Sequence, residues 1–534
     1  MDLESLQRAQ LLSCWLALAG LAAYGGFRLV ANRRSLPRPD PAGSLAAFAL
    51  ALVFRLAFSP WAVIHENAHG YEFLRSAFSL DGFFYHGAAF YAVQHPFARL
   101  LGERPETVFG VNLLLSAACA PLLLGLARRL RLPRAAGWTA AVAWSAWPAA
   151  VRSAGSECFF PLAVLSLLLA LQTWLDAWER RGRFDFVAAG LAAALAVQAR
   201  PELVLLPASL ALAWLARPGW TRALRTVGPY LGLLAFAALA AAWAVFRLRL
   251  LSEEGLPSPV RLGLARAGAA LFSPGHILVN PAWSPPAVAT LALLGLAALA
   301  LARWRLAVFL AGSYLLLLLP VVGVGSGLAS DLRLQQSAAP FALLLAGAGL
   351  AWIADRMGTR WRFAGRALLL AAVAAGTLLL AGKAGTEFAP QLEYRFLADE
   401  TPKLPPDCRL VVADRFMAGG KVSAEFPTFW LKRPEVTEAG RLVERGLDVE
   451  ECLLYYRGLA CASFLSGEDI PPGGVRPECR AIERRFRLEP LRLARLPGLS
   501  DADFLRLPAE VTIGFYRLGP RPPEPPLTKT GSAE

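Results

Sequence analysis

The chain has 534 residues, of which 56% are hydrophobic and only 18% charged, a composition that excludes disordered, collagen-like and disulfide-scaffold proteins and points to a polytopic membrane protein. Its formal net charge is +14, yet residues 385–534 carry 21 basic and 23 acidic side chains, so the excess belongs to the apolar part. A basic surface for nucleic acid is therefore not expected.

Apolar runs long enough to cross a bilayer give about twelve predicted helices. In chain order they centre on residues 11–30, 44–63, 108–126, 135–151, 159–178, 186–198, 203–215, 227–247, 287–302, 306–324, 341–353 and 367–381. The pair around Arg200-Pro201-Glu202 is either joined by a tight turn or formed from one broken helix, since proline and two charges do not continue a span. Six short connections hold nineteen arginines, among them Arg128, Arg129, Arg131 and Arg134. The positive-inside rule places these connections in the cytoplasm and the opposite set, with everything after the last span, outside. No basic segment precedes the first apolar run, so a cleaved signal peptide is not expected.

The first large outside loop, residues 64–106, holds four of the five histidines: His65, His69, His86 and His95. Glu66, Tyr71, Glu72, Asp81 and Tyr85 lie in the same stretch. Ionisable groups collected at the end of a span mark a polar cavity rather than a lipid-facing surface. Aromatic and small residues interleave between them in a pattern that suits amphipathic helices on a membrane surface. HENAH at 65–69 also matches H-E-x-x-H, in which two histidines one helical turn apart bind zinc and the glutamate is general base. An intramembrane zinc protease using His65, Glu66 and His69 is thus the competing reading. Gly70 weakens a helix there, and no downstream segment resembles the element that carries the third ligand in such proteases.

Residues 385–518 read as a small α/β domain. CRLVVAD (408–414), CLLYYRGLACASF (452–464), FRLEPLRLARL (486–496) and VTIGFYRL (511–518) have strand character, and stretches such as PEVTEAGRLVERG (434–446) read as helical. Cys408, Cys452, Cys461 and Cys479 fall in this domain. An even set in an oxidising compartment predicts two disulfides, with three pairings open. Residues 519–534 read as a proline-rich disordered tail.

Taken in order, HPFARLLG (95–102), WPAAVRSAGSE (147–157), AAGLAAALAVQARPE (188–202) and DLRLQQSAAP (331–340) resemble segments of the GT-C glycosyltransferases, the superfamily that includes bacterial aminoarabinose transferases and protein O-mannosyltransferases. HPFARLLG (95–102) and the span from VFGVNLLLSA to LARRL are similar to its HPPLY…RLLNALLG…LARRL stretch. WPAAVRSAGSE (147–157) and AAGLAAALAVQARPE (188–202) follow its P-x-x-x-R-x-x-x-S-E and A-G-L…R-P-E segments, and DLRLQQSAAP (331–340) occupies the place of its late R-Y-x-x-P element. The resemblance covers residues 45–350, or residues 1–384 as a domain. It implies an all-α polytopic transmembrane bundle of about twelve helices with the small α/β domain outside the cytoplasm.

The resemblance also implies a reaction. An acidic residue of the first outside loop accepts the proton of an acceptor hydroxyl, which attacks the anomeric carbon of a polyprenyl-phosphate sugar. Glu66 holds that place; the superfamily usually has an acidic pair there, whereas His65 precedes Glu66 here, and Asp81 is the fallback. Arg152, Arg200 and Arg333 would meet the charge on the leaving phosphate, with Glu157 and Glu202 orienting them or touching the acceptor. His65, His69, Tyr71, His86 and His95 would line the sugar pocket. Gln335 or Gln336 stands where the superfamily has tyrosine. The histidine cluster is a candidate holder of a divalent metal. The donor would be a polyprenyl-phosphate sugar and the acceptor a lipid, glycan or protein, in a bacterial inner membrane with the catalytic face in the periplasm.

Overall fold

The computed structural model describes residues 2–31, 40–64, 69–81, 84, 86–180, 182–216, 225–253, 278, 284, 286–323, 332–357, 367, 371, 375, 389–412, 436–438, 442, 452–462, 464–465, 469–470, 474–498 and 505–520. The chain divides into two units, residues 1–64 with 72–386 and residues 65–71 with 387–534.

The first unit is helical. Its elements are α1 (Leu3–Ala31), α2 (Pro41–Phe58), α3 (His69–Ser79), α4 (Ala89–Leu101), α5 (Pro105–Arg129), α6 (Arg134–Ala146), α7 (Pro148–Ala154), α8 (Phe160–Arg180), α9 (Arg183–Ala199), α10 (Leu206–Leu215), α11 (Val227–Glu253), α12 (Pro286–Gly323) and α13 (Ala339–Arg356). Among the described residues, seven helices are long and apolar enough to cross a membrane. α5, α8 and α13 are mostly buried within the protein, whereas α1, α2, α11 and α12 leave most of their apolar surface outward, as lipid-facing spans do.

Helix ends follow local chemistry. α2 starts behind Asp40, whose carboxylate accepts the Gly43 N–H at 2.8 Å, with Pro41 in the first turn. At the end of α5, the Arg303 guanidinium donates to the carbonyls of Leu130 and Arg131 at 2.8 and 2.9 Å. Arg303 itself leaves helical geometry (φ −150°, ψ 58°), so α12 is two helices joined at a kink, as the separate runs 287–302 and 306–324 predict.

Two predicted spans are modified. The run 135–151 is interrupted at Trp147, which is extended, because Pro148 cannot donate to the preceding turn and disfavours helix before it. The run 203–215 begins as a 3-10 turn, Pro201–Leu205, before α10, and Arg200 before it is extended. That turn settles the Arg200-Pro201-Glu202 junction as a break between two helices. The last predicted run, 367–381, lies outside the described residues apart from 367, 371 and 375.

Helices 12 and 13 cross at glycines. A Cβ on Gly295 would stand 1.9 Å from the Leu345 carbonyl oxygen, and one on Gly349 would stand 2.0 Å from that of Leu291. Small residues permit this backbone approach, which within a membrane supplies packing where no hydrophobic force between helices exists.

The second unit is α/β. A five-stranded sheet has the order β2-β1-β3-β7-β5, with β1 (Arg409–Val412) parallel to β2 (Val436–Glu438) and to β3 (Leu453–Arg457). β7 (Glu510–Pro520) runs antiparallel between β3 and β5 (Phe486–Pro497), and β4 (Phe464–Leu465) pairs with β6 (Leu505–Arg506). α14 (Ala389–Glu400) and α15 (Pro477–Arg485) complete it. All four predicted strand segments contribute strands. PEVTEAGRLVERG does not open as a helix: its Val436, Thr437 and Glu438 pair with Leu410, Val411 and Val412, and of its remainder only Leu442 is described, in helix. β7 continues through Gly519 and Pro520, which pair with Arg487 and Phe486, and the tail beyond lies outside the described residues.

The four cysteines form the two expected disulfides, Cys408–Cys452 and Cys461–Cys479. The first joins the residues that precede β1 and β3; the second ties the 3-10 turn Leu459–Cys461 to α15. Cys14, Cys119 and Cys158 are buried and take part in neither disulfide.

Candidate active site

The helical unit gathers polar side chains that a membrane interior would reject singly. Arg152, Ser153, Ser156, Glu157, Arg200, Glu202, Gln335, Gln336 and Ser337 are all buried. They come from three of the segments that carry the GT-C resemblance, and a Gln336–Ser153 hydrogen bond joins two of these.

Arg200 and Glu202 meet directly. Nε of the guanidinium donates to one carboxylate oxygen at 3.0 Å and a terminal nitrogen donates to the other at 2.5 Å, a bidentate geometry particular to arginine. Both side chains are about 95% withdrawn from solvent, being 4% and 5% exposed. The guanidinium also lies over the Phe160 ring, 4.6 Å from its centroid. Arg200 is thus held rigidly, as a buried and paired arginine. Arg152 is 1% exposed on α7. The next residue, Ser153, accepts from Gln336 Nε2 at 2.9 Å, which joins α7 to the 3-10 turn Leu332–Ser337. Arg333 belongs to that turn, and its side chain lies outside the described residues.

Glu157 sits in the connection between α7 and α8 and is fully buried. Both carboxylate oxygens lie 3.1 Å from the backbone nitrogen of Ile64 and accept its N–H. Ser59 Oγ donates to the Val151 carbonyl at 2.8 Å, and the Ala62 N–H to that of Gly155 at 3.2 Å. Residues 59–64 are therefore laid along the α7–α8 connection.

Helices 3 and 4 bear out the expected helices of loop 64–106. Between them, His86 is half-buried among aromatic rings, 5.2 Å from Phe159 and 5.8 Å from Phe73, while Phe90 and Tyr91 approach Phe159 at 4.4 and 5.8 Å. The His86 carbonyl accepts from Trp243 Nε1 at 3.2 Å. Gly87 follows with φ +133°, and a Cβ there would stand 2.3 Å from the Gln198 carbonyl oxygen, so only glycine fits. His95 Nδ1 lies 3.2 Å from the Ala77 carbonyl oxygen. Tyr71 is buried and Asp81 is exposed after the end of α3.

His65 and Glu66 lie outside the described residues, as does the side chain of His69, whose backbone opens α3. Among the described residues, no three His, Cys, Asp or Glu side chains gather in a metal-binding group.

Among the buried polar residues that escape the sequence reading are Arg55 and Asn112. Arg55, fully buried in α2, donates to Ser116 Oγ at 2.7 Å and to the Ser145 and Trp144 carbonyls at 3.1 and 3.4 Å, closing the C-terminus of α6. Asn112 is buried in the middle of α5. Each was legible as the one strongly polar side chain inside an apolar run.

The helical fold, the spans and the motif order are similar to those of GT-C-type membrane glycosyltransferases. Residues 86–246 match the family model described as dolichyl-phosphate-mannose-protein mannosyltransferase. That stretch holds Arg152, Glu157, Arg200 and Glu202. Among curated proteins, none matches. Among solved structures, ArnT from Cupriavidus metallidurans bound to undecaprenyl phosphate is 13% identical, with 90% of this chain and 98% of that one covered at a TM-score of 0.49. The same protein in the apo state gives 13%, 89%, 98% and 0.48. The oligosaccharyltransferase of Archaeoglobus fulgidus, tethered to an acceptor peptide, is 11% identical over 74% of this chain, with a TM-score of 0.44; the chain spans 64% of that protein's length.

Proposed function

We propose that this protein transfers a sugar from a polyprenyl-phosphate carrier to a lipid, glycan or protein acceptor at the periplasmic face of a bacterial inner membrane. The observation that carries the reading is the family match over residues 86–246, within which the buried Arg152, Glu157, Arg200 and Glu202 stand at the motif positions named above. In this reading Glu66 takes the proton of the acceptor hydroxyl as its oxygen bonds to the anomeric carbon. The bond from that carbon to the phosphate oxygen breaks, and the lipid phosphate leaves with the electron pair. Arg152, Arg200 and Arg333 are assigned to that charge, since cations held in a water-poor site stabilise developing anions far better than in water. Arg200 serves with Glu202 attached, so that a fixed dipole rather than a bare charge faces the donor.

The two disulfides support the placement of the second unit in an oxidising compartment, hence opposite the arginine-rich connections. The reading is tested with radiolabelled polyprenyl-phosphate sugars and native membrane acceptors, comparing the wild type with Glu66→Gln. Transfer by the wild type that the variant loses supports it. Peptide cleavage abolished by a zinc chelator, with no sugar transferred, supports the protease instead.

A further inference from the structure

Arg55 is a cation in the last turn of a membrane helix, α2, and is 0% exposed. Its polar partners are the Ser116 hydroxyl and the carbonyls of Ala51, Ser145 and Trp144, and none of them is a carboxylate. A charge buried at membrane depth is kept for a use, and Pro148 accounts for two of these contacts. In a continuous helix the N–H of residue 148 would reach the Trp144 carbonyl and that of residue 149 the Ser145 carbonyl. Proline has no N–H, and Trp147 is extended (φ −63°, ψ 121°), which turns α7 out of line with α6. The Trp144 carbonyl accepts instead from the Trp147 N–H at 3.2 Å and from Arg55 at 3.4 Å, and the Ser145 carbonyl accepts from Arg55 at 3.1 Å. Arg55 thus supplies donors that the break withdraws.

The same side chain reaches α7. Arg55 Nε donates to Ser116 Oγ at 2.7 Å, which leaves the hydrogen of that hydroxyl for the Ala150 carbonyl, 3.4 Å away. Trp144 Nε1 donates to the Ser116 carbonyl at 3.1 Å, so the end of α6 is tied to α5 as well. Ser59, the residue that ends α2, donates through Oγ to the Val151 carbonyl at 2.8 Å, one residue before Arg152. α7 has seven residues, too few to hold a direction unaided, and α2 and α5 set the direction in which it carries Arg152. One planar guanidinium serves Ser116 and both carbonyls at once, which an ammonium does not. We infer that Arg55 is a positioning residue for sugar transfer: through the end of α6 and through Ser116 it sets the angle of α7 and so the place of Arg152. All of these residues belong to the helical unit. The inference rests on the assignment of Arg152 to the charge of the leaving phosphate.

The test uses the purified full-length protein in lipid nanodiscs, with radiolabelled polyprenyl-phosphate sugars and native membrane acceptors, initial rates at varied donor and acceptor, and thermal unfolding as the check of folding. Arg55→Met keeps an unbranched side chain and removes every donor; Ser116→Ala leaves the cation in place and cuts its link to α7. Each is made alone and together with Arg152→Ala. Arg55→Met is expected to lower kcat by about 10-fold to 100-fold, the scale of a misplacement near 1 Å, with KM for the acceptor unchanged, and Ser116→Ala to lower it in the same direction. On top of Arg152→Ala, either change is expected to cost no more than about 2-fold, the scatter of independent effects. Folded Arg55→Met at wild-type kcat, or the same fold-loss with and without Arg152, overturns the inference. Wild-type kcat in Ser116→Ala also overturns it, because charge rather than position is then what Arg55 supplies. If Arg55→Met does not fold, Ser116→Ala carries the same cycle, and if Arg152→Ala leaves no transfer to measure, the kcat of Ser116→Ala decides. Full transfer by Arg152→Ala overturns the assignment of Arg152, and a wild type without sugar transfer overturns the proposed reaction. Both are distinct from an impaired Arg152→Ala in which Arg55 acts independently.

Discussion

Arg200 and Glu202 form a buried ion pair that ties the fold to the proposed chemistry. Removing one partner of a buried ion pair strands the other charge, which costs about 3–5 kcal/mol. Glu202→Ala is therefore expected to lower the thermal unfolding temperature and abolish transfer, whereas Glu202→Gln, still an acceptor for the guanidinium, is expected to be milder in both measurements. In the second unit, Glu393 is buried and accepts from Tyr456 Oη at 2.7 Å and from the Leu459 N–H at 2.8 Å. Burial pushes its carboxyl from the ordinary 4.5 up to about 7, against the two hydrogen bonds that favour the anion. A folded-state value above the unfolded one means that this group's stabilising contribution is complete below about pH 4.5 and is lost as pH rises through about 7. The unfolding temperature of this unit is expected to be higher at pH 5 than at pH 8, and Glu393→Gln, neutral throughout, should flatten that dependence. An unaltered pH profile in the variant contradicts the assignment.

At the scale of elements, the membrane helices depend on close crossings more than on their apolar surfaces. Gly349→Leu is expected to force α12 and α13 apart, since no side chain fits where a Cβ already meets the Leu291 carbonyl. Thermal unfolding in detergent should show the loss, and the outward-facing Leu293, 69% exposed, provides the control position: Leu293→Ala should change little. Most of these helices were legible in the sequence, because a run of some twenty apolar residues has few other fates. The breaks were less so. Pro148 announces an interruption, yet only the packed structure places Trp147 in extended geometry, and only sheet pairing turns Val436–Glu438 into a strand within a helix-like stretch. Local propensity is a weak preference that a neighbouring strand edge overrides.

For the whole molecule, the expectation open to test is its membrane topology. The predicted oxidising placement of the second unit gives two outcomes that can be measured. Reduction of the disulfides is expected to destabilise that unit by about 2–4 kcal/mol for each bridge, read as a lower unfolding temperature with reductant. In intact cells, a cysteine introduced at exposed Asp81 should react with an impermeant thiol reagent, and one at Arg134 should be shielded until the membrane is opened. The reverse labelling pattern would place the candidate site in the cytoplasm, where a polyprenyl-phosphate donor on the outer leaflet is out of reach.

The sequence by itself determined that this chain is a bundle of membrane helices with a disulfide-linked α/β appendage, and the order of its motifs pointed to the GT-C class. These properties are written in composition and spacing, which survive without coordinates. Only the tertiary structure decided that Arg200 is locked to Glu202, that Glu157 grips the backbone of Ile64, and that Arg55 closes the end of α6. Such hydrogen bonds depend on distances between residues far apart along the chain, and a one-dimensional pattern does not contain those distances.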